Sequence, residues 1–170
     1  MLFRRYAAGL GRYVTRRLGP DLAQDIVAET FLAAFRQRGG YDTSRQCARP
    51  WLYGIAANLI RRHYRDEERM LRALERTGID PVAESAADHV EARLAADATS
   101  RAVAAALASL SPGQLEVVLL VTWAELTYDQ VAEALGIPEG TVRSRMNRAR
   151  LQLRAALGGF GPATAFDGQE

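Results

Sequence analysis

TYDQVAEALGIPEGTVRSRMNRARLQLRAAL, residues 127–157, decides how this chain is read. Thr127 followed three residues later by Gln130 offers a capping box, and Val131 and Leu135 give the short helix after it an apolar side. Gly136 ends that helix, and Gly136-Ile137-Pro138-Glu139 turns tightly into a second, longer one. At about 100° per residue, Val142, Met146, Ala149, Leu153 and Leu157 gather on one side of the second helix. Ser144, Asn147 and Arg148 face away from that side, with Gly140 and Thr141 near the helix start. Two short crossing helices with a polar outward face at the second N-terminus form the pattern of a DNA-binding helix-turn-helix. On that face Arg148 suits guanine N7 and O6 and Asn147 suits adenine. Arg143, Arg145, Arg150 and Arg154 flank it and suit phosphates. Leu151 is the one misfit, an apolar residue on the reading side.

Upstream the pattern stays helical. Alanine and leucine abound and alternating β-branched residues are scarce. Breakers at Gly19-Pro20, Gly39-Gly40, Pro50, Gly78 to Pro81, Ser111-Pro112, Gly136 to Pro138 and Gly158-Gly159 predict helices near 2–18, 21–37, 50–76, 97–109, 112–124, 128–135 and 139–157. Ser111, Pro112 and Gln114 supply a second capping box with proline at the first helical position. The fold class expected is all-α, with two small helical domains over 1–76 and 97–158, a flexible linker over 77–96 and a mobile Gly-rich tail over 159–170.

In the first domain, Asp25, Glu29, Leu32 and Arg36 share one stripe of helix 21–37, while Ile26, Val27, Phe31, Ala34 and Phe35 can fill a core. The carboxylates have no pocket partner to raise a pKa, so the stripe reads as a solvated or protein-docking face rather than an acid/base pair. Helix 50–76 puts Leu52, Ile55, Ala56, Leu59 and a packing His63 on its core side. Asn58, Arg61, Arg62, Arg65, Arg69 and Arg72 lie opposite, a basic stripe that suits a single strand or a duplex backbone. The loop before it, Gly39 to Arg49, is small and polar with Tyr41 and Arg45, a candidate holder for an unstacked base.

Charge agrees with two polyanion contacts. All 22 basic residues are arginine. Residues 1–77 carry 15 Arg against 8 acids, 111–142 carry 5 acids and no Arg, and 143–154 carry 5 Arg and no acid. Cys47, His63 and His89 are the only soft ligands, so no metal site and no internal disulfide are expected. No phosphate loop or nucleophile constellation points to an enzyme, a cofactor or a small-molecule substrate. The longest apolar run, Val117–Val121, is far below a membrane span of ~18 residues. With no signal peptide read at the N-terminus, the expectation is a cytoplasmic protein.

Taken in order, DLAQDIVAETFLAAF (21–35), RPWLYGIAANLIRRHYRDEER (49–69) and LSPGQLEVVLLVTWAELTYDQVAEALGIPEGTVRSRMNRARLQLRAAL (110–157) resemble regions 2.1–2.2, 2.3–2.4 and 4.1–4.2 of sigma-70 family sigma factors, in the extracytoplasmic-function group. The resemblance implies a transcription initiation factor with bacterial core RNA polymerase (clamp and flap), promoter DNA and an anti-sigma factor as partners. It implies polymerase docking by Asp25, Ile26, Glu29 and Leu32. It implies a flipped −10 base near Tyr41 and Asn58, with Arg61, Arg62 and Arg65 on the backbone, and −35 contacts by Thr141, Arg143, Ser144, Arg145, Asn147 and Arg148. Two departures stand out. The first helix begins almost at FRRYAAGL, so its usual upstream turns are expected to be missing. Gly54 stands where the family often carries Arg, so one backbone contact is expected to be absent. The alternative is a stand-alone helix-turn-helix repressor or activator using residues 127–157 alone, which leaves the 50–76 stripe without a task.

Overall fold

Caps and breakers set the helix ends where the sequence puts them. The computed structural model describes residues 2–45, 47–75 and 98–158; the linker and tail expected at 77–96 and 159–170 lie outside the described residues. Seven α-helices occur among them: α1 (Leu2–Leu18), α2 (Pro20–Arg36), α3 (Arg49–Glu75), α4 (Ala98–Ala108), α5 (Pro112–Thr122), α6 (Tyr128–Leu135) and α7 (Glu139–Ala156), with a 3-10 turn at Arg38–Gly40. At the start of α5 the Ser111 N–H donates to Gln114 Oε1 at 2.8 Å, and the Gln114 N–H donates back to Ser111 Oγ at 3.4 Å. At α6 the Thr127 N–H donates to Gln130 Oε1 at 3.1 Å. Gly136 ends α6 at φ 63°, a left-handed conformation open to glycine. There the Ile137 N–H reaches back to the Ala132 carbonyl at 3.1 Å.

α1, α2 and α3 form one bundle. Leu52 and Ile55 pack with Ala34 of α2, as expected of that face. The expected core stripe of α2 is only partly correct. Ile26 and Ala34 are buried, but Phe35 is 63% exposed, because at 100° per residue it stands about 135° around α2 from the middle of the buried stripe of Ala23, Ile26, Thr30 and Ala34; the Arg38 guanidinium lies 4.1 Å from its ring centre. His63 is half-buried, with Nε2 3.7 Å from Glu67. A second face of α3 is also buried: Tyr53, Ala57, Ile60 and Tyr64. It faces α1 and the other half of the chain.

α5 is the centre of that other half. Every residue from Gln114 to Leu120 is buried, as befits a helix apolar nearly all round. α7 lays Val142, Met146 and Ala149 against it, and Val131 of α6 joins them. The two halves touch: one apolar cluster runs without a break from Leu10 and Tyr13 through Tyr53 and Ile60 to Val117 and Val142.

Polar contacts knit the same seam. Arg17 Nη1 donates to Glu116 Oε1 at 2.9 Å, Arg17 Nη2 donates to Glu116 Oε2 at 3.3 Å, and the Tyr13 hydroxyl donates to Glu116 Oε1 at 3.1 Å. Tyr64 closes the network by donating to the Arg17 carbonyl at 2.8 Å. Burial pushes the Tyr13 hydroxyl far up. Burial works against the Arg17 cation, but Tyr13 and Glu116 more than offset it and hold the pKa above its ordinary range.

Candidate nucleic-acid interface

On α7 the expected reading face is open to solvent. Arg143, Asn147 and Arg148 are exposed, and Thr141, Ser144 and Arg145 are half-buried. Its arginines are held differently. Arg143 Nη2 donates to Glu139 Oε1 at 2.7 Å and the guanidinium sits 5.8 Å from the Tyr128 ring centre. The Arg145 guanidinium packs over Gly113, so it leans toward α5 rather than outward. Arg150 Nη2 donates to the Tyr128 hydroxyl at 3.2 Å. Arg148 and Asn147 are exposed, and Leu151 beside them is 59% exposed.

On α3 the basic stripe is exposed from Asn58 to Arg72. Arg61 donates to Asn58 Oδ1. Arg62 lies 3.7 Å from Asp66, Arg69 lies 3.4 Å from the same carboxylate, and Arg72 lies 3.5 Å from Glu68. Exposed pairs of this kind contribute about 0.2–1 kcal/mol, so phosphates can displace them.

Beside this stripe the 39–49 loop and α3 enclose a cleft of about 250 Å³ that brings together Tyr41, Arg45, Trp51 and Asn58. The Tyr41 and Trp51 rings stand 4.7 Å apart, a pair of aromatic faces of the kind on which an unpaired base stacks. Partial desolvation holds the Tyr41 hydroxyl above its usual range. Hydrogen bonds from Ser44 hold Asp42 below its own. Sequence reasoning missed Trp51 as a cleft residue; its signal was an aromatic two turns ahead of Asn58, on the same side of the helix that follows the loop.

The expected polymerase stripe splits. Asp25, Glu29 and Leu32 are exposed on α2, Leu32 at 47%. Ile26 is buried in the bundle, so its side chain does not share that surface. Among the described residues no group of three or more His, Cys, Asp or Glu could hold a metal ion, and no helix is long and apolar enough to cross a membrane.

Residues 2–70 match the family described as Sigma-70 region 2, and residues 100–153 match Sigma-70, region 4. The chain is 34% identical over 161 residues to ECF RNA polymerase sigma factor SigL of Mycobacterium tuberculosis, covering 92% of this chain and 86% of the relative. It is 32% identical over 149 residues to ECF RNA polymerase sigma factor SigK of Mycolicibacterium vanbaalenii, covering 85% and 74%. It is also 30% identical over 158 residues to RNA polymerase sigma factor CarQ of Myxococcus xanthus, covering 92% and 87%. The fold is similar to that of CnrH solved with the cytosolic domain of CnrY, at TM-score 0.63 and 24% identity over 94% of this chain and 87% of that one. It is also similar to RpoE of Bartonella quintana solved with the anti-sigma factor NepR, at TM-score 0.64 and 22% identity over 92% and 96%.

Proposed function

The chain belongs to the sigma-70 family of RNA polymerase sigma factors, in the extracytoplasmic-function group, and from that membership we propose how its surfaces divide the work of promoter recognition. It is a transcription initiation factor that binds bacterial core RNA polymerase and directs it to −10 and −35 promoter elements; bond formation belongs to the polymerase. Residues 1–76 act as region 2, 77–96 as the linker, 97–158 as region 4 and 159–170 as a tail. Promoter and polymerase both put its place of action in the cytoplasm.

Region 4 docks α7 in the −35 major groove. Arg148 and Asn147 read base edges, where each good bidentate pair is worth about 1–3 kcal/mol. Thr141, Arg143 and Ser144 set the register on the backbone, and Arg145 joins them once its guanidinium swings from Gly113 toward a phosphate. Region 2 stacks one unpaired −10 base on the Tyr41–Trp51 pair with Asn58 on its edge, while Arg61, Arg62 and Arg65 hold the neighbouring phosphates. Asp25, Glu29 and Leu32 form the docking face for the polymerase clamp, and Ile26 supports it from within. Each half makes few base contacts, so tethering both to one polymerase turns two weak sites into a selective pair. An anti-sigma factor is a further partner; two proteins of this fold were solved bound to another chain, one of them the anti-sigma factor NepR.

The observation that carries this division is the aromatic cleft with its arginine stripe on α3, which a stand-alone helix-turn-helix regulator would not need. Size exclusion with bacterial core polymerase tests it. The expected result is co-elution that Asp25→Arg with Glu29→Arg weakens, and Asn58→Ala holoenzyme that assembles but opens promoters poorly. Tight duplex binding by the free protein without co-elution would favour the stand-alone regulator.

A further inference from the structure

A second and larger groove, of about 810 Å³, shares only Asn58 with the Tyr41 cleft. One bank is α3 from Asn58 to Glu68, and the other is the end of α4 with the start of α5. Its floor is apolar: Leu59, Tyr64, Leu110 and Leu115 line it, each buried or partly buried. Ala108 stands at the lip, exposed. Two carboxylates reach the groove and both are answered within the chain, Glu116 by Arg17 at 2.9 Å and Glu68 by Arg72 at 3.5 Å. Arg61, Arg62 and Arg65 are exposed along the α3 bank. Arg62 meets Asp66 only at 3.7 Å, and among the described residues Arg65 forms no ion pair. The groove is therefore apolar below and positive along one edge. A DNA backbone can use the arginines, but phosphates and sugars have nothing to offer the apolar floor, so promoter binding leaves that floor without a task.

We infer that this groove binds a small amphiphile with one anionic head and a linear alkyl chain, the chemistry of a fatty acid. The chain lies along Leu59, Leu110 and Leu115, and the carboxylate meets Arg62 and Arg65. The volume falls within the roughly 300–1,000 Å³ of small-molecule sites. From Asn58 to Glu68, α3 runs about 15 Å at 1.5 Å per residue, the reach of an extended chain of roughly a dozen carbons. Charge selects the head, because a guanidinium fork matches a carboxylate in two parallel bonds, while a cationic head is repelled and a neutral one leaves the arginines to water. Burial of the chain supplies affinity, about fourfold for each methylene taken out of water. The site stands apart from the proposed promoter contacts but touches them: a carboxylate on Arg62 and Arg65 keeps both from a phosphate.

Isothermal titration of the full chain with decanoate, dodecanoate and tetradecanoate, each below its micelle concentration, tests the inference. The expected result is one saturable equivalent, with affinity rising about fourfold per methylene. Decanoate should bind at least about ten times more tightly than decanol or decyltrimethylammonium. Ala108→Trp fills the lip and should abolish binding while the far-UV spectrum stays unchanged. Arg62→Gln with Arg65→Gln should bring decanoate down to the affinity of decanol, and this pair still decides the matter if Ala108→Trp does not fold. Absence of saturable binding would overturn the inference, as would equal affinity for the three heads or binding that both variants retain. A concentration-dependent dimer that Ala108→Trp dissolves, with no dodecanoate bound, would give the groove to a second copy of the chain and overturn it as well. So would tight binding of an acidic amphipathic peptide where dodecanoate does not bind.

Discussion

Arg17 is a full positive charge with only 5% of its side chain exposed, and Glu116 opposite it has 6%. Such a pair is not in itself a source of stability, because removing both charges from water costs nearly as much as their attraction returns. Removing one partner is another matter. Glu116→Leu leaves Arg17 buried without a counterion, and the expected loss is about 3–5 kcal/mol in urea unfolding. The Arg17→Met/Glu116→Leu pair should recover most of it. A double variant as unstable as the single one would mean that the apolar packing around α5, not the charge, had been damaged. Tyr13 adds a pH signature. Its hydroxyl titrates above the ordinary 10.0 in the folded state, so its contribution is complete below pH 10 and lost as pH rises beyond it. Tyr53, also raised by burial, pulls the same way. Stability should fall above pH 10, and less steeply in Tyr13→Phe.

At the scale of helices, chemistry that is local in sequence was legible and chemistry between distant segments was not. Ser111 with Gln114, Thr127 with Gln130, and Gly136 each fix an end through a bond spanning a few residues, so boundaries could be placed from the chain alone. Gly136→Ala should cost about 1–2 kcal/mol, since φ 63° is left-handed; a melting temperature unchanged by it would mean that the turn relaxes freely. Periodicity assigned Leu52, Ile55 and Ala56 to the core of α3 correctly, because one apolar face needs no knowledge of its partner. The second face, Tyr53, Ala57, Ile60 and Tyr64, repeats at helical spacing too, but only the seam with α1 and the second half gives it something to cover. Phe35 errs the other way: it has the right residue type for a core, but its register sets it about 135° around α2 from the stripe of Ala23, Ile26, Thr30 and Ala34 that is buried. In the candidate site, Asn58, Arg61, Arg62 and Arg148 could be read as outward-facing from angle alone. The closing of the cleft by Glu133 and Ala134 could not, because it joins residues about 80 positions apart.

Across the whole molecule the charge pattern carries two meanings at once. The arginines at 16, 17, 45 and 49 meet partners along the seam, with Arg17 buried and Arg16 and Arg45 still exposed, while those at 61, 62, 65 and 148 face solvent. A count of charges along the chain cannot separate the two sets, but salt can. Screening at a Debye length of about 8 Å weakens exposed contacts and scarcely touches buried ones, so the Arg17–Glu116 end of the seam should resist salt that strips phosphates from α3. For promoter binding by the holoenzyme, log K should fall linearly with log salt, and each of Arg61→Ala, Arg62→Ala and Arg65→Ala should flatten the slope by about one without changing sequence preference. Arg148→Ala should change preference at one −35 position by about 1–3 kcal/mol. If instead Arg148→Ala flattened the slope and left preference intact, Arg148 would be a phosphate contact, and base reading on that helix would pass to Asn147.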